Sequence, residues 1–503
     1  MDRKLCLIVV DSLRTDMLER TIAAGNAPNF AGLLDRGVLV GDCVSSFPTV
    51  TPVCNAEIAT GTGPGPGPDG PGHGIMGMNW YHRVERRYVE YGNSFEATRA
   101  FGLFRSLYDV VYNMNMGHLS PEVETVFERL GDADVRSACT PFLIYRGRTR
   151  HEVGLDGLLR RFAGAAGFHH AVWGPDELFY GELYASRRVP CKPTLARPGT
   201  RDEYSACVGR ELIAGDLYDF MLFSLPDHDY HSHKLGPQNS LSSLIQADAD
   251  LGSLIDAGGG METFLSDHAL ILVSDHAQTP VAEPLPLAEL LESEWRVLQP
   301  NSETIAGTEV AVGPTSRAGG VYLLTDGRRR ERASRRIRDL LRGTDGVDLV
   351  TWLEGDEAVV ARRGDELRFV PGSHHSDPRG HGWATDGDLT VLGLGDRDGR
   401  LVSDEYPDAL GRLWRSLRGP NAADIQVSLA EGWECVDWGG ATHVEGGSHG
   451  SLLAGDSLCP LLLVGFPEGT PARREQWSLR DVAGLVAEHF GIPAEPARDE
   501  AAA

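Results

Sequence analysis

LCLIVVDS, residues 5–12, carries the strongest architectural signal in the chain. Its unbroken Leu, Ile and Val run lacks the alternation of a half-exposed strand, so it predicts a strand buried on both faces, the kind found in sheets covered by helices on each side. Asp11 follows at once, which puts a carboxylate at the strand end, where open α/β sheets carry their chemistry. The arrangement recurs. FMLFSL, residues 220–225, runs into PDHDYHSH, and ALILV, residues 269–273, runs into SDH, with the helical stretch SSLIQADADLGSLIDAG between them. Strand, acidic end, helix, strand, acidic end predicts an α/β core.

Outward from these strands, SSFPTVTPVCNAEIATG (residues 45–61) reads as a short approach followed by a helix. TGTGPGPGPDGPGHG (residues 60–74) cannot continue that helix, because Gly and Pro dominate it, and becomes a surface excursion that is either a flexible rim or a purely structural loop. Residues 90–210 carry little distinctive chemistry. Residues 1–279 are expected to form the first part of a catalytic core and residues 280–380 an inserted cap or subdomain, an extended edge of the main sheet being the alternative. Residues 381–503 then return to the core through the apolar run SLCPLLLVGF.

With 503 residues, 41% of them hydrophobic and 24% charged, the chain has the make-up of a globular protein. Its net charge of -25 argues against broad nucleic-acid binding. The opening apolar run is too short for a membrane span and no cleavage-type segment follows it, so a cytoplasmic protein without membrane association is expected. The eight cysteines form no close pairs, which favours reduced, structural thiols. Oligomeric state is not readable.

Four segments bring oxygen and imidazole groups to strand ends: VVDS, PDHDYH, SDH and SHG. The candidate ligands are Asp11, Asp227, His231, Asp275, His276 and His449. Mixed Asp and His donors suit two divalent ions of the Zn2+ type, with Mn2+ or Fe as substitutes, better than a calcium site. Each residue alone is equally a turn cap or a satisfied histidine; six at strand termini make the stronger pattern. His228, Asp229 and His233 remain substitutes, because sequence spacing gives no distances. Thr49 and Thr51 both precede the helix, whose first N–H groups favour an anion, and either hydroxyl could serve as a metal-activated nucleophile. His374, His375 and His381, with Asp377 among them, form a weaker accessory candidate.

The segments LIVVDSLR, FPTVTPVCNAEIATG, HGIMGMNWY, LPDHDYHSHKLGP, LVSDHAQTP and GGSHGSL, in this order, resemble the alkaline phosphatase superfamily, in particular its type I phosphodiesterase and nucleotide pyrophosphatase branch. The resemblance implies an α/β/α sandwich with an inserted cap. It also favours Thr51 over Thr49, since Thr60 and Gly61 follow Thr51 at the family's nine-residue spacing. By the same resemblance Asp11, Asp275, His276 and Thr51 would hold one metal and Asp227, His231 and His449 the other. Thr51 would form a covalent phosphothreonine intermediate. The branch often holds a phosphoryl oxygen with an Asn after HGI; here Met78 takes that position, leaving Asn79, or Asn55 on the helix, as candidates. Trp80 and Tyr81 either line a leaving-group pocket or pack the turn.

The expected activity is cleavage of a phosphodiester or nucleotide pyrophosphate in a small phosphorylated or nucleotide-like molecule. Phosphomonoester or phosphonate hydrolysis is the nearest alternative, and a noncatalytic metal-binding scaffold is the reading from another class. A formylglycine sulfatase is disfavoured, because no C-x-P-x-R motif stands at Thr51.

Overall fold

A computed structural model describes residues 3–154, 164, 169–180, 183–192 and 201–493. The opening strand, Lys4–Val10, lies in the middle of an eight-stranded sheet. It pairs in parallel with Phe220–Leu225 on one side and His268–Val273 on the other. Beyond the first lie Ser137–Cys139, Glu177–Tyr180 and Tyr184–Ala185; beyond the second, Leu458–Val464 and then Gly37–Val44, both antiparallel to their inner neighbours.

The strand alternation explains why both faces are covered. Leu5, Leu7 and Val9 enter one apolar core with the helices Thr51–Thr60, Val126–Asp132 and Val482–His489. Cys6, Ile8 and Val10 enter another with Thr15–Ala23, Pro28–Leu34, Arg201–Ala214 and Leu241–Ala257. Each fully buried aliphatic side chain contributes about 1.5–3 kcal/mol relative to exposure, so the uninterrupted apolar run is what this two-sided sandwich demands. This is the expected α/β/α arrangement.

Residues after 280 build a second sheet of nine strands. Ile425–Leu429 is inserted between Ala318–Leu323 and Val347–Glu354, and the sheet continues through Glu357–Arg362 and Asp365–Ser376. It therefore runs well past residue 380, the boundary expected from sequence. A small connecting sheet pairs Thr279–Leu285 in parallel with Gly432–Cys435 and antiparallel with Gly447–Ser448. Arg317 from the second sheet, fully buried, donates to Asp456 at 2.5 Å and to the Ala430 carbonyl at 2.9 Å, joining this sheet to the loops beneath it.

The Gly/Pro excursion is packed rather than loose. A Cβ on Gly65 would lie 2.3 Å from the Arg415 carbonyl, so the backbone itself fits against the helix Ala409–Arg418.

Candidate metal centre

Register brings the acidic ends together. Val10 pairs with Leu225 and Val9 with Val273, so the chain leaves three adjacent strands along one edge at Asp11, at Pro226 and at Ser274. The antiparallel pairing of Thr279 with Ser448 delivers His449 to the same edge.

Asp11, Asp275 and His276 form one cluster. His276 Nε2 lies 3.7 Å from an Asp11 oxygen and 3.6 Å from an Asp275 oxygen. Asp275 is oriented by Asn55 Nδ2 at 3.0 Å and by the backbone N–H of His276 at 3.0 Å, while Asp11 Oδ1 is buried with no hydrogen-bond partner. Thr51 begins the helix Thr51–Thr60, with Pro52 in its first turn, and its Oγ1 sits 3.1 Å from His276 Nε2. Thr49 is tied away: its hydroxyl donates to the Ser451 carbonyl at 2.5 Å, and its own carbonyl accepts from His449 Nδ1 at 2.7 Å.

The second cluster is Asp229, His276 and His449, with His233 beside it. His233 Nε2 is 3.3 Å from Asp229 Oδ1 and 3.2 Å from His449 Nε2. The expected pair, Asp227 and His231, is elsewhere. Both pairs have four-residue spacing on the helix Asp227–Leu235, but two residues turn an α-helix by about 200°, so only one pair can face His449. Asp227 instead accepts the Asp202 N–H at 2.9 Å while its own N–H donates to Asp202 at 2.9 Å, a reciprocal clasp between two helix starts. The ring of His231 packs on Tyr230.

The hydrogen bonds fix which imidazole nitrogen is free. His449 Nδ1 donates to the Thr49 carbonyl and His233 Nδ1 to the Gly447 carbonyl at 2.8 Å. Ser12 Oγ donates to Asp229 at 2.6 Å and so accepts from His276 Nδ1 at 3.1 Å. All three rings therefore turn an unprotonated Nε2 inward, the arrangement in which the outer N–H orients a metal-binding histidine. Burial keeps these imidazoles neutral, each pushed down to about 4. Burial, then repulsion from Asp275 and Asp229, raises Asp11 well above the carboxylate range; burial and Asp229 push Asp275 up to about 7. Burial also opposes ionisation of Asp229, but the surrounding imidazoles and the Ser12 hydroxyl outweigh it and hold its carboxyl low. Crowded carboxylates, inward lone pairs and the unpartnered Asp11 oxygen are together what a divalent cation would satisfy.

Ser12, in the left-handed region at φ 61°, and Gln278, which donates to Asp229 at 2.7 Å, also belong to this site. Neither was singled out by sequence, although Ser12 lies within the quoted VVDS; its backbone angle has no composition signal. Asn79 is a buried strand residue whose Nδ2 donates to the Val89 carbonyl at 3.0 Å. Trp80 and Tyr81 are buried, Trp80 against His82 and His118. Asp377 binds Trp383 Nε1 at 2.8 Å and the His381 N–H at 2.9 Å, locking a turn, and His374 is exposed.

The chain belongs to the type I phosphodiesterase / nucleotide pyrophosphatase family, which matches residues 5–452. A comparison with curated proteins gives no match. Among solved structures it is similar to phosphonoacetate hydrolase from Sinorhizobium meliloti 1021 in complex with phosphonoformate, at 16% identity and a TM-score of 0.55, over 97% of this chain and 95% of that one. It is also similar to murine ectonucleotide pyrophosphatase / phosphodiesterase 5, at 14% identity and a TM-score of 0.56, over 99% and 97% of the two chains. An inactive threonine-to-alanine variant of that murine protein, in complex with AMP, matches at 14% identity, a TM-score of 0.55 and the same coverage. At these identities the likeness is one of fold. Family and ligand clusters together make this chain a metal-dependent hydrolase of the alkaline phosphatase superfamily.

The cytoplasmic placement expected from sequence does not stand. The mammalian structures sharing the fold are ecto-enzymes by name, and Cys191 is disulfide-bonded to Cys207, a bond scarce in a reducing cytosol. The reading of all eight cysteines as reduced is corrected with it; Cys6, Cys43, Cys54, Cys139, Cys435 and Cys459 are free and buried. Among the described residues no helix is long and apolar enough to cross a membrane.

Proposed function

We propose that this protein cleaves a phosphodiester or nucleotide pyrophosphate in a small molecule, with Thr51 as nucleophile. We assign one ion to Asp11, Asp275, His276 and Thr51, and the other to Asp229, His233 and His449. The observation that carries the reading is the inward convergence of three Nε2 lone pairs and three carboxylates beside one helix-terminal hydroxyl. Nitrogen and oxygen donors in this ratio favour zinc. The inactive threonine variant in the murine relative supports the choice of Thr51.

When bound, two such ions lower the pKa of an attacking oxygen and neutralise charge on phosphoryl oxygens. Thr51 Oγ1 loses its proton and bonds to phosphorus as the ester P–O bond breaks, and the leaving oxygen takes up a proton. Water then attacks the phosphothreonine, its hydroxyl oxygen joins phosphorus, and the Thr51 hydroxyl is restored. Asn55, one helical turn after Thr51, holds Asp275 in place, and the N-terminal dipole of the Thr51–Thr60 helix favours the anionic substrate. Because Asn79 is buried in the hairpin with its amide donating to the Val89 carbonyl, we assign it to the hairpin rather than to the phosphoryl group.

The test is a hydrolysis panel on zinc-loaded protein with product identification, setting nucleotide diesters and pyrophosphates against matched monoesters and phosphonates. Preferential turnover of monoesters or phosphonates overturns the substrate assignment. Retained metal without turnover of any member favours a scaffold.

A further inference from the structure

A second grouping of imidazoles shares no residue with the clusters at the strand ends. The antiparallel strands Asn79–His82 and Arg87–Glu90 form a hairpin whose turn carries Glu85, and the π-helical segment Asp109–His118 brings His118 against it. π-Helical segments are rare and frequently lie at functional sites. His118 is only 8% exposed. Its Nδ1 meets the Tyr91 hydroxyl at 2.7 Å, whereas its Nε2 is buried with no hydrogen-bond partner. A nitrogen left so costs about 1–3 kcal/mol unless something binds it.

The neighbours of His118 have ligand character. The ring centroids of His82 and His118 are 5.7 Å apart, His82 Nε2 is 3.9 Å from a Glu85 oxygen, and one ligand atom from each of the three residues lies within 4.8 Å of the others. Trp80 packs against both imidazoles, at 5.6 Å and 5.3 Å, which limits their rotation. Glu85 is held from its other oxygen by Arg87 Nε at 2.5 Å, and the Arg87 charge is met in turn by Asp109 at 2.8 Å.

We propose that His82, Glu85 and His118 form an additional site for a zinc-class divalent ion, which clamps the 79–90 hairpin to the Asp109–His118 segment. Two imidazoles and one carboxylate are a common zinc donor set and leave a fourth position for water. Metal–ligand lengths of about 2.0–2.2 Å put tetrahedral ligands roughly 3.4 Å apart, so closure asks for small rotations, mainly of the exposed Glu85. The Tyr91 hydroxyl serves as the outer partner that sets the His118 tautomer. Binding through His82 Nε2 moves that ring's proton to Nδ1 and hands the Glu85 N–H, now 3.1 Å from Nδ1, to water at the exposed turn.

The inference does not depend on the hydrolytic reading, and its test is metal content. After zinc loading and dialysis, elemental analysis of folded His118→Ala should find one zinc fewer per chain than the wild type. A double variant Asp11→Asn/Asp229→Asn should retain one zinc that is lost when His118→Ala is added, and its cobalt form should show the intense visible bands of a low-coordinate site. Should His118→Ala not fold, His82→Gln on the hairpin carries the same comparison. Equal zinc content in the wild type and these folded variants overturns the proposal.

Discussion

The two candidate ligand clusters at the strand ends share His276 but draw their other groups from different kinds of element. Asp11, Asp275 and His276 leave parallel strands whose register is set by buried apolar runs, whereas Asp229 and His233 ride on a helix that starts directly after a strand. On a strand end, the polar groups just past the apolar run sit at the edge, as Asp11 does after Val10 and Asp275 and His276 do after Val273 and Ser274. On a helix, the acid in the first turn can point either way, and a slip of two residues keeps the same four-residue spacing while reversing the face.

Four experiments would break or sharpen that contrast. The largest effect belongs to Thr51→Ala, which should lower phosphoryl transfer at least about a thousandfold while zinc content stays at the wild-type level. Full activity in the metal-loaded variant would remove Thr51 as nucleophile. Next, Asp229→Asn or His233→Ala should weaken one zinc by more than about a hundredfold, measured by chelator competition. Under the same assay His231→Ala should leave zinc affinity within about twofold, and Asp227→Ala should keep its zinc but lose roughly 1–3 kcal/mol of stability, because the buried Asp202 N–H loses its acceptor. If the losses fall instead on 227 and 231, the helix faces the other way. Ser12→Ala removes the link between Asp229 and His276, and a reduction of about 10–100-fold in zinc affinity or activity is expected.

The smallest effect concerns pH. Asp275 in the metal-free fold keeps its proton up to about 7, above its ordinary value of 3.8, so the folded state binds more protons than the unfolded chain between those values. Its contribution to stability therefore declines as pH rises through that window. Metal-free Asp275→Asn should show a smaller fall in Tm between about pH 5 and about pH 8 than the metal-free wild type. An equal fall in both would show that this carboxyl carries no such linkage.

Legibility in the sequence follows the same division. The sandwich was readable because Leu5 to Val10 is apolar at every position, and the strand-end groups because they follow their strands within one to three residues. The helix face of residues 227–235 was not, since both candidate pairs satisfy the same spacing. The extent of the second sheet was hidden by its long-range order: Ile425–Leu429 lies between strands from residues 318–323 and 347–354, a placement local periodicity does not encode. The Cys191–Cys207 bond spans 16 residues without a recognisable pattern around it, so only the folded geometry reveals it.

The position of Leu458–Val464 between Gly37–Val44 and His268–Val273 reaches into the biography of the molecule. On the ribosome Gly37–Val44 emerges early, yet among the described residues the strand it pairs with is made only after more than four hundred further residues. His449 arrives only shortly before that strand. A nascent chain therefore carries Thr51 for most of its synthesis without a finished sheet beneath it, and a chain stopped before residue 449 lacks both His449 and the strand that Gly37–Val44 pairs with.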